Sequence, residues 1–136
     1  MEISSENDFI KFNFKKPILY VVAKDKYPDD DEFEFAKNTL IQFFKCAEIK
    51  KYRFCIIFDT KLLHFLSAQY YKEMSDTFIN HKSYIERFLH KSSIITDRLL
   101  MKGALNLFFT IYTTIRPLEF SNNYEDSVKF VLEEYK

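Results

Sequence analysis

Three observations predict a single α/β domain, with a mostly parallel or mixed sheet of about five strands packed by four helices in the order ββαβαβαβα. Apolar runs without polar alternation, at residues 18–23 and 54–58, read as strands covered on both faces. Between and after them lie stretches whose apolar residues recur at spacings of three and four, the signature of helices with one buried stripe. The 136 residues, 47% of them hydrophobic, suit one folded domain over 1–136 that builds its own core, without a linker to divide it.

The polar start, residues 1–8, is expected to be flexible or weakly ordered. Phe9, Phe12 and Phe14 then mark a short strand, and Lys15-Lys16-Pro17 breaks it before the run Ile18 to Ala23. The two read as a hairpin or as neighbouring strands, the second of them central. Lys26-Tyr27-Pro28 makes a loop. The triplet Asp29-Asp30-Asp31 after it suits a helix entrance, where carboxylates meet exposed amides and the positive end of the dipole. A calcium loop is not indicated, because the triplet lacks both a turn glycine and a terminal bidentate Glu at the required spacing.

The first helix is predicted over 33–49, with Phe33, Ala36, Leu40, Phe43, Phe44 and Ala47 facing the sheet. A buried strand follows over 53–59. It places Asp59 at its carboxyl end, where open α/β sheets commonly carry functional groups. After a loop over 60–66, Ser67 can cap a long helix over 68–89, with Tyr71, Met74, Phe78, Ile85, Phe88 and Leu89 on its apolar face. A short strand over 92–96 and a helix over 98–116 come next, the helix presenting Leu100, Ala104, Leu107, Phe108, Ile111 and Ile115 and stopped by Pro117. Leu118-Glu119-Phe120 is an edge strand, and Asn123 can cap a final helix through Tyr135. Phe35, Phe109 and Tyr112 fall outside the predicted stripes and are candidate interface residues, since aromatic side chains anchor interfaces well.

Twenty basic and 20 acidic side chains balance to zero, which offers no strong field to nucleic acid or an acidic membrane surface. Cys46 and Cys55 have neither CxxC nor zinc-ligand spacing and read as two reduced, buried thiols. The amino terminus lacks the basic start and apolar run of a secretory signal, and no apolar stretch approaches the ~18 residues of a membrane span. A cytoplasmic, reducing location is therefore expected, and a place within a larger assembly is compatible with it. Gly103, beside Ala104 inside a predicted helix, suits close helix–sheet packing and builds no phosphate loop.

Three histidines are available, His64, His81 and His90. On one long helix His81 and His90 would point apart, about half a turn from each other. His64 lies in the loop after Asp59, where a carboxylate and an imidazole could make an acid–base pair. No serine or cysteine in a glycine turn accompanies them. Arg87, Lys91, Arg98 and Lys102 flank the predicted fourth strand and read either as a solvated face or as a small anionic-ligand patch. The expectation is a protein without catalytic machinery, cofactor or metal, whose candidate functional loop holds Asp59, His64 and Ser67.

The second half of the chain resembles the STAS and SEC14-like domain superfamily. The resemblance rests on Ile56-Ile57-Phe58-Asp59, the loop Leu62-Leu63-His64-Phe65-Leu66-Ser67, the strand Ile94-Ile95-Thr96, and the segment from Phe120 through Asn123, Asp126 and Val128 to Val131. It implies a STAS-like fold and an interaction or regulatory role with a protein partner or a second copy of the chain. The SEC14-like branch implies the alternative of a small apolar ligand such as a lipid. In the anti-sigma-factor antagonists of the superfamily a phosphorylated hydroxyl follows the Asp-terminated strand. Here Ser67 stands where that motif has Asp, Ala68 and Gln69 stand where it has the serine pair, and no glycine follows. Ser67 itself is positioned to accept phosphate at a helix start.

Overall fold

A computed structural model describes residues 2–108 and 116–135. Its six strands lie side by side in chain order: β1 (Glu2–Glu6), β2 (Ile10–Lys15), β3 (Ile18–Ala23), β4 (Phe54–Asp59), β5 (Leu89–Ile95) and β6 (Leu118–Ser121). The first three pair antiparallel and β3 through β6 pair parallel. The parallel crossovers carry helices, α1 (Asp30–Lys50) before β4, then α2 (Ala68–Asn80) and α3 (Lys82–Phe88) before β5, and α4 (Leu99–Phe108) after it. Helix α5 (Tyr124–Leu132) follows the last strand.

Strand β1 falls within the polar start, where the sequence carries no strand signal. Its residues Glu2 to Glu6 pair in register with Lys15 back to Lys11 of β2. An edge strand needs hydrogen bonds on one side only, and with Ile3, Ser4 and Glu6 exposed it shows no hydrophobic pattern.

Helix α1 starts earlier than its apolar stripe. Asp29 caps it, accepting the Glu32 N–H while the Glu32 carboxylate accepts the Asp29 N–H, and Asp30, Asp31 and Glu32 fill the first turn. Lys51, in left-handed backbone, closes the other end on the Ala47 carbonyl. The predicted long second helix is two helices. His81 breaks it, with its backbone N–H and ring Nδ1 both turned to the Thr77 carbonyl, and Leu89 and His90 already belong to β5. His81 and His90 therefore never share a helix. Asn80 and His81 are weak helix formers, and beyond the break Ile85 and Leu89 are both fully buried.

The two faces of the sheet are unequal. On one, α1 to α4 bury Phe33, Phe44, Phe78, Ile85, Met101 and Leu105 against Phe12, Phe14, Leu19, Phe54 and Ile56. Rings interlock there, Phe44 against Phe54 at 5.3 Å and Phe33 on Tyr70 at 4.2 Å between centroids. On the other, α5 sets Val131 against Cys55, Ile57 and Ile95, beside a chain of hydroxyls from Ser93 through Ser127 to Ser121. Strand β3 sits between β2 and β4 as expected, but its residues alternate, with Leu19, Val21 and Ala23 buried and Ile18, Tyr20 and Val22 half-buried.

Helix α4 turns a different stripe inward than periodicity suggested. Met101 and Leu105 are buried while Leu100 is 79% exposed, because apolar residues cover more than half of this helix's circumference and spacing alone does not choose among them; Ile111 and Ile115 of the predicted stripe lie outside the described residues. A Cβ at Gly103 would meet nothing within 4 Å, so no close packing requires the glycine.

Candidate functional site

The loops that leave the carboxyl ends of β3, β4 and β5 converge around Asp59. In register, Asp59 stands beside Val22 of β3 and Ile95 of β5, and only 8% of it is exposed. Its Oδ2 accepts the Tyr20 hydroxyl proton at 2.9 Å and its Oδ1 accepts the Lys61 N–H at 3.2 Å. Burial and the adjacent carboxylate push the Tyr20 phenol far above its ordinary range, so it stays a donor. The Tyr20 ring in turn leans on Tyr124 at the start of α5.

Beyond Asp59 the loop folds onto Arg98. Thr60 anchors it by donating both its N–H and its hydroxyl to the Ile95 carbonyl. Arg98 Nη2 then donates to the carbonyls of Thr60, at 2.9 Å, and Leu63. These are charge-assisted bonds, the stronger kind. The guanidinium lies near the Phe65 ring, and its Nε is buried without a partner among the described residues.

A second loop, between β3 and α1, is tied to the first. His64 Nε2 meets Asp25 Oδ1 at 2.7 Å, the Ser67 N–H donates to the Tyr27 hydroxyl at 3.0 Å, and the Tyr70 hydroxyl donates to Asp30. The acid–base pair considered for Asp59 and His64 is thus not assembled, each group having another partner. Ser67 caps α2, its Oγ accepting the Tyr70 N–H at 3.2 Å.

This polar framework carries an apolar surface. Leu62 is 56% exposed, Phe65 52%, Leu99 83% and Leu100 79%, with Leu99 and Leu100 following directly on Arg98. A shallow concavity of about 440 Å³ beside them is lined by Asp25, Tyr27, Lys61, His64, Phe65 and Arg98. These leucines were not singled out from the sequence. Helical spacing puts Leu100 in a buried stripe, and Leu62 reads as one apolar residue in an apolar loop.

The other candidate residues lie elsewhere. Phe35 is half-buried in the seam between α1 and β2, its ring edge-on to Phe12 at 6.4 Å. Phe109 and Tyr112 lie outside the described residues. The four basic residues do not make one patch: Arg87 pairs with Glu48, Lys91 lies over Phe130, Lys102 over Phe120, and Arg98 holds its loop. Among the described residues no group of three or more His, Cys, Asp or Glu side chains is placed to hold a metal ion, and no helix is long and apolar enough to cross a membrane.

An apolar cavity of about 100 Å³ lies under the site, lined by Phe9, Val21, Phe33, Phe58, Met74 and Leu105 among others. Both cysteines are free thiols, but only Cys55 is buried as expected, Cys46 being half-buried. The Cys55 thiol donates to the Val131 carbonyl, and burial pushes it up from 9 to about 11.

No family model and no curated protein matches the chain. Its structure is similar to that of an uncharacterized protein of the DUF3478 family, with a SpoIIAA-like fold, from Shewanella loihica PV-4. The two share 17% sequence identity over 95% of this chain and 98% of that one, with a TM-score of 0.63. The chain therefore has the SpoIIAA-like, STAS-type α/β fold that the sequence resemblance implied, in a mixed sheet of six strands.

Proposed function

We propose that the chain is a non-enzymatic protein–protein interaction module, of a regulatory or structural kind, that docks a protein partner or a second copy of itself at the carboxyl ends of β3 to β5. One observation carries this reading: Leu62, Phe65, Leu99 and Leu100 are more than half exposed at the same end of the sheet where Asp59, Thr60, Arg98 and His64 are held by internal bonds. Side chains of this size each gain about 1.5–3 kcal/mol when fully covered, so a rigid apolar rim on a fixed polar base is suited to docking. A reducing, cytoplasmic setting, within or outside a larger assembly, agrees with two thiols that are free rather than paired.

The test replaces Leu99 and Leu100 together with serine. Association, read as self-association by light scattering and as recovery of a stoichiometric partner from the native source, is expected to fall at least tenfold while the thermal midpoint stays within a few degrees. Undiminished association in the double variant would refute the reading.

A second reading, a small apolar ligand, is favoured by the cavity beneath the site. At about 100 Å³ it is smaller than the roughly 150 Å³ engineered cavity known to admit benzene. It suits a ligand of a few heavy atoms, and a lipid chain would need the α1–α2 seam to open. Native mass spectrometry after gentle extraction checks this reading, which predicts a mass above that of the bare chain.

A further inference from the structure

The opposite end of the sheet carries a different kind of unmet group. Arg53 precedes β4, His90 is the second residue of β5, and Arg116 precedes β6, so parallel pairing brings all three to the amino ends of neighbouring strands. With Glu134 and Tyr135, beyond the end of α5, they line a concavity of about 460 Å³.

Two guanidinium groups meet at one carbonyl there. Arg53 Nη2 donates to Leu89 O at 3.2 Å and Arg116 Nε donates to the same oxygen at 2.9 Å, so the two nitrogens lie within about 6 Å of each other. Arg116 also donates to His90 O from Nε, at 3.2 Å, and from Nη2, at 2.8 Å. Leu89 O and His90 O follow the end of α3, whose dipole supplies about half a negative charge. Two full positive charges face that half charge. Neither arginine forms an ion pair among the described residues, whereas Arg87 on the same stretch of chain pairs with Glu48. Glu134 lines the concavity but is exposed and makes no ion pair with either. Burial and the neighbouring Arg53 both hold Arg116 below its ordinary range, as expected for two like charges placed together.

The framework around them is fixed. His90 is 7% exposed, its Nε2 meets Glu133 O at 2.5 Å, and its ring stands edge-on to Tyr135, whose hydroxyl donates to Arg53 O at 2.7 Å. A guanidinium has five N–H donors. The Nε and Nη1 of Arg53 and the Nη1 of Arg116 have no partner among the described residues.

We propose that Arg53 and Arg116 form a binding site for a phosphate-type oxyanion, free or as a small phosphate monoester, at the amino ends of β4 to β6. A planar fork of donors matches an oxyanion, and a ligand of charge near −2 supplies the counter-charge that the chain does not provide there. This site stands apart from the proposed docking surface, so either can fail alone.

The test is titration of the full chain with sodium phosphate and with glycerol phosphate, against sodium chloride at matched ionic strength, followed by NMR. Saturable shifts centred on Arg53, His90 and Arg116 are expected. Arg53→Gln, a change at an exposed residue, should weaken binding at least tenfold, Glu134→Gln should tighten it a few-fold, and Arg87→Gln, with the same loss of charge elsewhere, should leave it unchanged. Tighter binding of glycerol phosphate identifies a phosphate monoester as the ligand class, and equal or tighter binding of inorganic phosphate identifies the free ion. Absence of a saturable response beyond chloride, or wild-type affinity in Arg53→Gln, would overturn the proposal. Arg116→Gln also removes bonds to two carbonyls, so the decision rests on Arg53 and not on that variant.

Discussion

At the carboxyl ends of the parallel strands Asp59, His64 and Arg98 have internal partners and four large apolar side chains lie open to water, whereas at the amino ends two arginines lack a counter-charge among the described residues. Asp59, His64 and Arg98 each hold a bond within the chain, around Leu62, Phe65, Leu99 and Leu100. Phe54 and Leu89 are buried below Arg53 and Arg116, which crowd one carbonyl. A surface is informative in what it leaves unmet. Uncovered apolar area calls for another protein surface, and uncompensated guanidinium charge calls for an oxyanion.

The sharpest way to break this contrast is to release the framework at the carboxyl end. Arg98→Ala removes two charge-assisted bonds to the carbonyls of Thr60 and Leu63, and should cost about 2–3 kcal/mol by urea denaturation while disordering the loop that presents Leu62 and Phe65. A stability change under 0.5 kcal/mol would mean that the loop holds its shape without Arg98.

Alkali should act at the amino end. The Cys55 thiol, beside Arg53 and bonded to the Val131 carbonyl, is pushed up from 9 to about 11. A raised pKa means that the unfolded chain loses this proton before the folded one. The contribution is therefore whole below pH 9 and lost as pH rises from 9 through about 11, on the order of 2 kcal/mol. Tyr52, raised from 10 to about 12, extends the decline. Cys55→Ala should flatten the slope of the thermal midpoint between pH 9 and 11, and an unchanged slope would remove the thiol from the account. A smaller effect belongs to Ser67→Ala, which deletes the cap of α2 and should cost about 1 kcal/mol by the same denaturation assay.

How much of this was legible in the chain follows from the range of the forces involved. Local signals were readable: Asp29 and Asn123 as helix entrances, Ser67 as a cap, the apolar run ending in Asp59, and the stripe from Phe33 to Ala47. Strand β1 was not, because an edge strand draws on backbone pairing that leaves no side-chain pattern. The break at His81 was not legible either, because the apolar spacing runs on through Ile85 and Leu89 and only the weak helix formers Asn80 and His81 mark it. In the candidate site, Asp59 and Ser67 lay where their neighbours in sequence put them. The partner of His64 is Asp25, 39 residues away, and that of Asp59 is Tyr20, also 39 residues away, pairings that only the order of strands decides. The orientation of α4 hid the leucines, since its apolar residues cover more than half of its circumference and spacing alone gives no preference between Leu100 and Met101.

The measurement that tests the central claim most directly is association of the wild-type chain and the Leu99→Ser/Leu100→Ser variant, by light scattering after size exclusion and by partner recovery from the native source, beside their thermal midpoints. Exposed leucines contribute little to folding, so stability should change by no more than about 0.5 kcal/mol. The account predicts a wild-type chain that self-associates or recovers one stoichiometric partner, and a variant that has lost this at least tenfold. A wild-type monomer that recovers nothing, or a variant that associates as well as the wild type, would contradict it.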